Sequence, residues 1–377
     1  MTQYCGGKTM RCRTILIVDW CKIVLLAVLA CMLANLAAQA DSPPSPQDEP
    51  GLYLAARRDG KLVWYSTNGM AESKAVAAAF TAKYPGVDVD IIRLVGPQQY
   101  QRFVAESDAK QYIADVVNIS DKPLLESLIE GGQLSRWRIP TIDRLPDQYH
   151  LQDYVYAFQK TVLALIYNEN KVTPQEASLL AASWANILDP RFKGRFAIAP
   201  QKCGQCYAGV HMFLDPKMAE TFPPDFMQKV ADQHPAIYTD MFGAIDRVVA
   251  GEADFTYWSW EGGAATKLAQ GAPIRWVYPK PTPAFPNNWF AIASTAPHPA
   301  AARLFLNWLG SDAGVGVLET QFGAEPAMHG VADSRSFRNL PWWRPPVEEY
   351  TVDFDRWEKN YNTDLDRWIK ILANSNR

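Results

Sequence analysis

From Leu62 onward the chain alternates short apolar runs with amphipathic stretches, and this rhythm constrains the fold more than any other feature. Leu62–Tyr65 reads as a buried strand, and Ser66-Thr-Asn-Gly69 as a turn with Asn68 placed to cap the next helix. Val76, Phe80 and Tyr84 recur every four residues on that helix, which Pro85-Gly86 stops. Val87–Ile92 is the next strand. Pro97 opens a helix with Tyr100, Phe103 and Val104 on one face. Ile113–Asn118 is a third strand, and Lys122–Glu130 a helix closed by Gly131-Gly132. Strands alternating with helices imply a parallel, doubly wound α/β sheet.

The middle of the chain departs from this rhythm. Asp153–Asn168 is extended and apolar, too long for one ordinary strand. Beyond it, Phe196–Ala199 and Phe255–Trp260 read as strands, with helices over 206–214, 224–233 and 239–250. These form a second α/β lobe. Ile274–Tyr278 and Trp289–Ala293 are two further strands separated by the proline-rich Pro279–Pro286. His298–Leu309 is an amphipathic helix. The last element, Val352–Ala373, spaces Phe354, Trp357, Tyr361, Leu365, Trp368 and Leu372 by threes and fours.

The first 40 residues belong to a different class. Lys8, Arg11, Arg13 and Lys22 precede the apolar run Ile23–Ala34, and Ala38-Gln-Ala40 comes after it. That is a secretory signal peptide cleaved after Ala40, with a polar linker over 41–60. Of the 37 basic and 40 acidic residues, four bases and one acid leave with it, so the remaining chain carries 33 against 39, net −6. Such a surface disfavours nucleic acid and anionic lipid. Four of the six Cys also leave, and only Cys203 and Cys206 stay.

The residues together resemble the periplasmic substrate-binding proteins of ABC transporters, in the group named for ferric-iron binders that also takes thiamine, phosphonates and other small solutes. The pieces are Leu62–Ser66, Ala79-Phe80 with Tyr84–Val87, Ala114–Val116, Ile166–Asn168, Trp184–Gly194, Ala197–Pro200, Gly271–Ile274, Trp289–Ala293, His298–Arg303 and Gly323–Pro326, in that order. The resemblance implies two α/β lobes, each a doubly wound sheet, joined by two crossover strands near Val155–Tyr167 and Ile274–Ala293. Lobe 1 is expected over 61–154 and 285–335, lobe 2 over 155–284, and a tail helix packing on a lobe over 336–377. It also implies a periplasmic, non-enzymatic monomer without cofactor. That monomer would carry a small solute, either ferric iron or a charged organic molecule, to an ABC permease in the membrane.

Ligands in such folds meet the carboxyl ends of strands and the amino ends of helices. Four loops qualify. The first offers Ser66, Thr67 and Asn68, and the second, Asn118–Asp121, offers Ser120 and Asp121. The third, Pro200–Cys206, offers backbone N–H groups near Cys203 and Gly204 to an anion. Its Cys pair reads as a disulfide, as inert thiols, or as the strand–C-x-x-C–helix of a thiol–disulfide oxidoreductase, the alternative function. The fourth, Phe255–Glu261, offers Tyr257, Trp258, Trp260 and Glu261. Ferric-binding relatives carry adjacent tyrosines there. Here Tyr257 is succeeded by Trp258, which cannot ligate iron, and no metal ligands are assigned. Aromatics beside a carboxylate suit an organic cation or a stacked ring. His150, His211, His234, His298 and His329 show no metal or triad spacing, and no hydrolase, Walker or metalloprotease motif is present.

Overall fold

The computed structural model describes residues 49–94, 96–199, 204–238 and 240–375. The signal peptide, its cleavage site and residues 41–48 lie outside the described residues.

Helix α1 (Glu49–Asp59) replaces the end of the expected linker. Its Leu52 and Ala56 are buried one turn apart, and Glu49 and Arg57-Arg58 sit at the ends that suit the helix dipole. The chain then builds β1 (Lys61–Ser66), α2 (Met70–Lys83), β2 (Asp88–Arg93), α3 (Gly96–Asp108), β3 (Val116–Ile119), α4 (Lys122–Glu130), β4 (Leu134–Ser135), β5 (His150–Leu151) and β6 (Val155–Tyr156). It crosses at Ala157-Phe158 into β7 (Gln159–Asn168), α5 (Pro174–Ala182), β8 (Phe196–Ile198), α6 (Gly204–Phe213), α7 (Phe226–Ala231), β9 (Ala236–Ile237), α8 (Met241–Val249), β10 (Phe255–Trp260), α9 (Glu261–Ala269), β11 (Ile274–Val277) and β12 (Thr282–Asn287). It returns as β13 (Trp289–Ala293), α10 (Pro299–Leu309) and α11 (Asp312–Phe322), and leaves again for β14 (Glu325–Pro326), β15 (Glu349–Thr351) and α12 (Phe354–Ser375).

Two sheets result. The first has the order β2-β1-β3-β13-β6-β5 with β4 on β13. The second has the order β15-β12-β7-β10-β8-β9 with β11 and β14 also on β7. In the first, β1 runs parallel to β2 and β3, as the strand–helix rhythm requires. The overlong extended run is explained by β7. Its first half pairs β12 and β14, and its second half pairs β11 and β10. The chain passes between sheets three times, not only at the two expected crossovers. The second passage turns at Asn288, in the left-handed region at φ +63°, which asparagine tolerates. The third turns at Gly323, also at φ +63°, where a Cβ would lie 3.1 Å from the Gly262 Cα. Glycine meets both demands at once.

Each lobe has its own core, joined by a third cluster in the second lobe. Helix α1 packs on α10, and the Asp59 carboxylate accepts the N–H groups of Ala300 and Ala301 at 2.8 and 2.9 Å. Helix α12 buries Trp357, Leu365, Trp368 and Leu372 in the second core, against α6 and α7. Trp342 and Trp343 fasten the segment before it, edge-on to Trp276 at 4.9 Å and donating to the Tyr278 hydroxyl at 3.1 Å respectively.

Beneath α12, His211 is fully buried, and burial, helped by the Arg356 cation, pushes its imidazole down to about 3. The unfolded chain therefore takes up a proton near the ordinary value of 6.5 that the folded chain refuses. Stability is full above that pH and falls as pH drops. By pH 4.5 the loss from this group is about 2–3 kcal/mol. Urea unfolding at pH 7, 5.5 and 4.5 checks this. His211→Gln is expected to flatten the acid limb, and an unchanged limb would refute the assignment.

Candidate functional site

The carboxyl ends of β1 and β3 bring the first two loops together. Ser66 is buried, with its hydroxyl 3.0 Å from that of Ser73 and accepting the Asn68 N–H at 3.2 Å. Asn68 does not cap α2; Gly69 holds that position without a side-chain bond. Instead Asn68 Nδ2 donates to Asn118 Oδ1 at 2.9 Å, and Thr67 Oγ1 donates to the same oxygen at 3.3 Å. Asn118 Nδ2 in turn donates to the Trp289 carbonyl at 3.1 Å. The hub of the first wall is thus Asn118, buried at the end of an apolar strand.

The crossover strands lie alongside. The antiparallel register sets Ile119 against Trp289, so one further step places Ser120 opposite Asn288. Asn288 Nδ2 donates to Gln159 Oε1 at 3.1 Å, and Asn287 Nδ2 to Thr161 Oγ1 at 3.3 Å. All four are buried, and Gln159 Nε2 and Asn287 Oδ1 have no protein partner. A buried amide without a partner is costly and invites one. Sequence reasoning named Asn118 only as the start of the second loop, and missed Gln159, Thr161, Asn287 and Asn288. Their signal was polar side chains inside otherwise apolar strands. Asp121 stands at the N-cap of α4, but its carboxylate makes no capping bond and accepts the Tyr361 hydroxyl at 3.3 Å.

The aromatic strand is not the ligand wall expected of it. A bulge between Thr256 and Ser259 breaks the alternation of β10, and Trp258 sits in it at φ +41°. Trp258 is buried against Phe213 at 5.3 Å and Trp368 at 5.9 Å. Tyr257 is buried as well and donates to the Trp184 carbonyl at 2.8 Å; burial pushes its phenol well up. Both are core side chains instead of cleft side chains, and Tyr257 is no phenolate. Glu261 is buried too, accepting from the Arg335 guanidinium and the Tyr278 hydroxyl. Burial raises its carboxyl and Arg335 opposes the rise, so its charge is already matched within the protein. Trp260 differs. It is only partly buried and packs against the cores of both lobes, with Phe242 edge-on at 6.0 Å. Its Nε1 is buried without a protein partner.

A groove of about 460 Å³ runs between the start of α2 (Ala71, Glu72), α9 (Thr266, Gln270) and the end of α11 (Glu319, Gly323). Cys206 is buried and disulfide-bonded. Gly204 opens α6, and Cys203 lies outside the described residues. No described cysteine is a free thiol. Among the described residues no cluster of three or more His, Cys, Asp or Glu could hold a metal ion, and no helix is long and apolar enough to cross a membrane.

The family model of the bacterial extracellular solute-binding proteins matches residues 111–360. No curated protein matches the chain in sequence. Solved structures share the fold. Iron-bound HitA from Pseudomonas aeruginosa is 19% identical, with TM-score 0.63 over 84% of this chain and 99% of that one. AfuA from Actinobacillus pleuropneumoniae, with fructose-6-phosphate bound, is 19% identical, with TM-score 0.63 over 83% and 99%. The apo ferric ion-binding protein A of Pasteurella haemolytica is 14% identical, with TM-score 0.66 over 83% and 98%. With its two sheets, its crossovers and a family match across most of its length, this chain belongs to the bacterial extracellular solute-binding proteins.

Proposed function

We propose that the protein is the periplasmic, solute-capturing component of an ABC importer, acting as a monomer by binding alone. A small solute enters between the lobes, which close by a hinge at the crossovers and deliver it to a membrane permease. Closure draws its energy from contacts made only in the closed state. The ligands of the structural neighbours, iron in one and fructose-6-phosphate in another, span both solute classes that the sequence resemblance implies. The site favours the organic class. One observation carries this reading: amides from the β3 end and from both crossovers gather around Asn118 and Asn288, and two of their buried polar atoms, Gln159 Nε2 and Asn287 Oδ1, have no protein partner. Amides donate and accept at once, which suits a solute rich in oxygen and nitrogen. Ferric iron delivered bare would want phenolates, and Tyr257 supplies none.

A thermal-shift panel of ferric chloride, ferric citrate, thiamine, putrescine, a phosphonate and fructose 6-phosphate tests the reading. A true solute at a hundredfold excess over its Kd stabilises by about 2.7 kcal/mol. Asn118→Leu removes the hub without reducing bulk and is expected to weaken the responding solute by about ten- to a hundredfold in calorimetry. A shift with ferric chloride alone would overturn the organic class. No response together with insulin reduction would overturn solute capture.

A further inference from the structure

The loop that ends in Asp121 is touched from an unexpected direction. Helix α12 is rooted in the second lobe, where Trp357, Leu365, Trp368 and Leu372 enter the core and the Tyr207 hydroxyl donates to Asp364 at 2.8 Å. Helix α4 belongs to the first lobe, where Leu125 and Leu128 enter the other core. The two helices meet across the boundary between lobes. Tyr361 of α12 donates its hydroxyl to Asp121 Oδ1 at 3.3 Å. Phe354 of α12 lies under the Lys122 ammonium, 5.5 Å from it. The same ammonium pairs with Glu126 of its own helix, so one cation bridges that carboxylate and the α12 ring. Asp121 is 4% exposed, so its bond to Tyr361 is shielded from water.

We propose that α12 is a clasp between the lobes and that Tyr361 is the positioning residue through which it sets the solute loop Asn118–Asp121. The inference rests on the solute-binding reading of the cleft. Closing the cleft brings the Tyr361 hydroxyl to Asp121 and the Phe354 ring to Lys122. Opening it breaks both contacts at once. The C-terminal helix thereby adds closed-state contacts that the solute itself does not make, and these populate the closed form before a solute arrives. A helix that served only to fill the second core would need no partner in the first lobe.

Hydrogen–deuterium exchange and small-angle X-ray scattering on the solute-free protein test this directly. Tyr361→Phe keeps the ring on Tyr207, 5.1 Å away, and removes only the hydroxyl. It is expected to speed exchange at residues 118–125 by about tenfold and to raise the radius of gyration, with exchange at 365–372 unchanged. Asp121→Asn keeps an acceptor and is expected to stay within about threefold of the parent. In an Asp121→Ala background, Tyr361→Phe is expected to add nothing further. Unchanged exchange at 118–125, additive effects, or faster exchange confined to α12 would each overturn the clasp. Neither readout needs a solute. A negative result therefore removes the clasp and leaves solute capture standing, while a silent solute panel does the reverse.

Discussion

Replacing Arg335 by Met is expected to cost about 3–5 kcal/mol of unfolding free energy at pH 7, read by urea titration of tryptophan fluorescence. Arg335 is buried and gathers Glu261, Asp333 at 2.8 Å, Glu325 at 3.4 Å and the Gly323 carbonyl at 3.3 Å, with its guanidinium 4.9 Å from the Phe337 ring. Methionine restores much of the volume but leaves the Glu261 carboxylate buried, with the Tyr278 hydroxyl still donating to it and no cation beside it. An unmatched buried charge is the costly product, more than the lost attraction. The double variant Glu261→Gln with Arg335→Met is expected to recover most of the loss. The pH dependence also has a definite sign. Burial already raises the Glu261 carboxyl, and removing Arg335 raises it further. The folded variant therefore binds a proton more readily than the unfolded chain, and its deficit shrinks as pH falls from 7 toward 5. A single variant within 1 kcal/mol of the parent would contradict the assignment.

Trp258→Ala is the second large effect, expected at about 3–5 kcal/mol while solute affinity stays within about threefold. The ring is fully enclosed by Phe213, Tyr257 and Trp368, and a Cβ on Gly209 would sit 2.8 Å from it. Removing it opens a cavity in the second core without touching the cleft wall. Because Trp258 holds φ +41°, glycine relieves backbone strain that alanine keeps. Trp258→Gly is thus expected to be no less stable than Trp258→Ala, against the usual order. Trp260→Ala is expected to behave oppositely, with a smaller stability loss and a tenfold or larger loss of affinity. Circular dichroism and calorimetry separate the two. Loss of solute binding in Trp258→Ala at preserved fold would return that residue to the cleft.

The α/β rhythm is legible in the sequence because apolar spacing reports local period, and both lobes obey it. The tail helix shows the same spacing, and it is found at Phe354–Ser375. Helix α1 is hidden because its neighbourhood, Asp41–Gln47, is proline-rich and colours the whole segment as linker. Its stability comes from α10, some 240 residues later, and not from its own composition. Trp258 escapes a pattern-based reading because a bulge turns two successive side chains inward, which strict alternation forbids. Glu261 escapes it because its partner, Arg335, is 74 residues away.

By itself the sequence determined the two α/β lobes, the long extended run that begins at their junction and the amphipathic helices. Each arises from periodicity and turn chemistry, which act between near neighbours in the chain. Only the tertiary structure decided which polar groups in the connecting loops are already engaged. Hydrogen bonds and ion pairs such as Asn118 with Asn68, Glu261 with Arg335 and Asp121 with Tyr361 join segments that no local pattern connects. A side chain's availability to a solute depends on those distant partners.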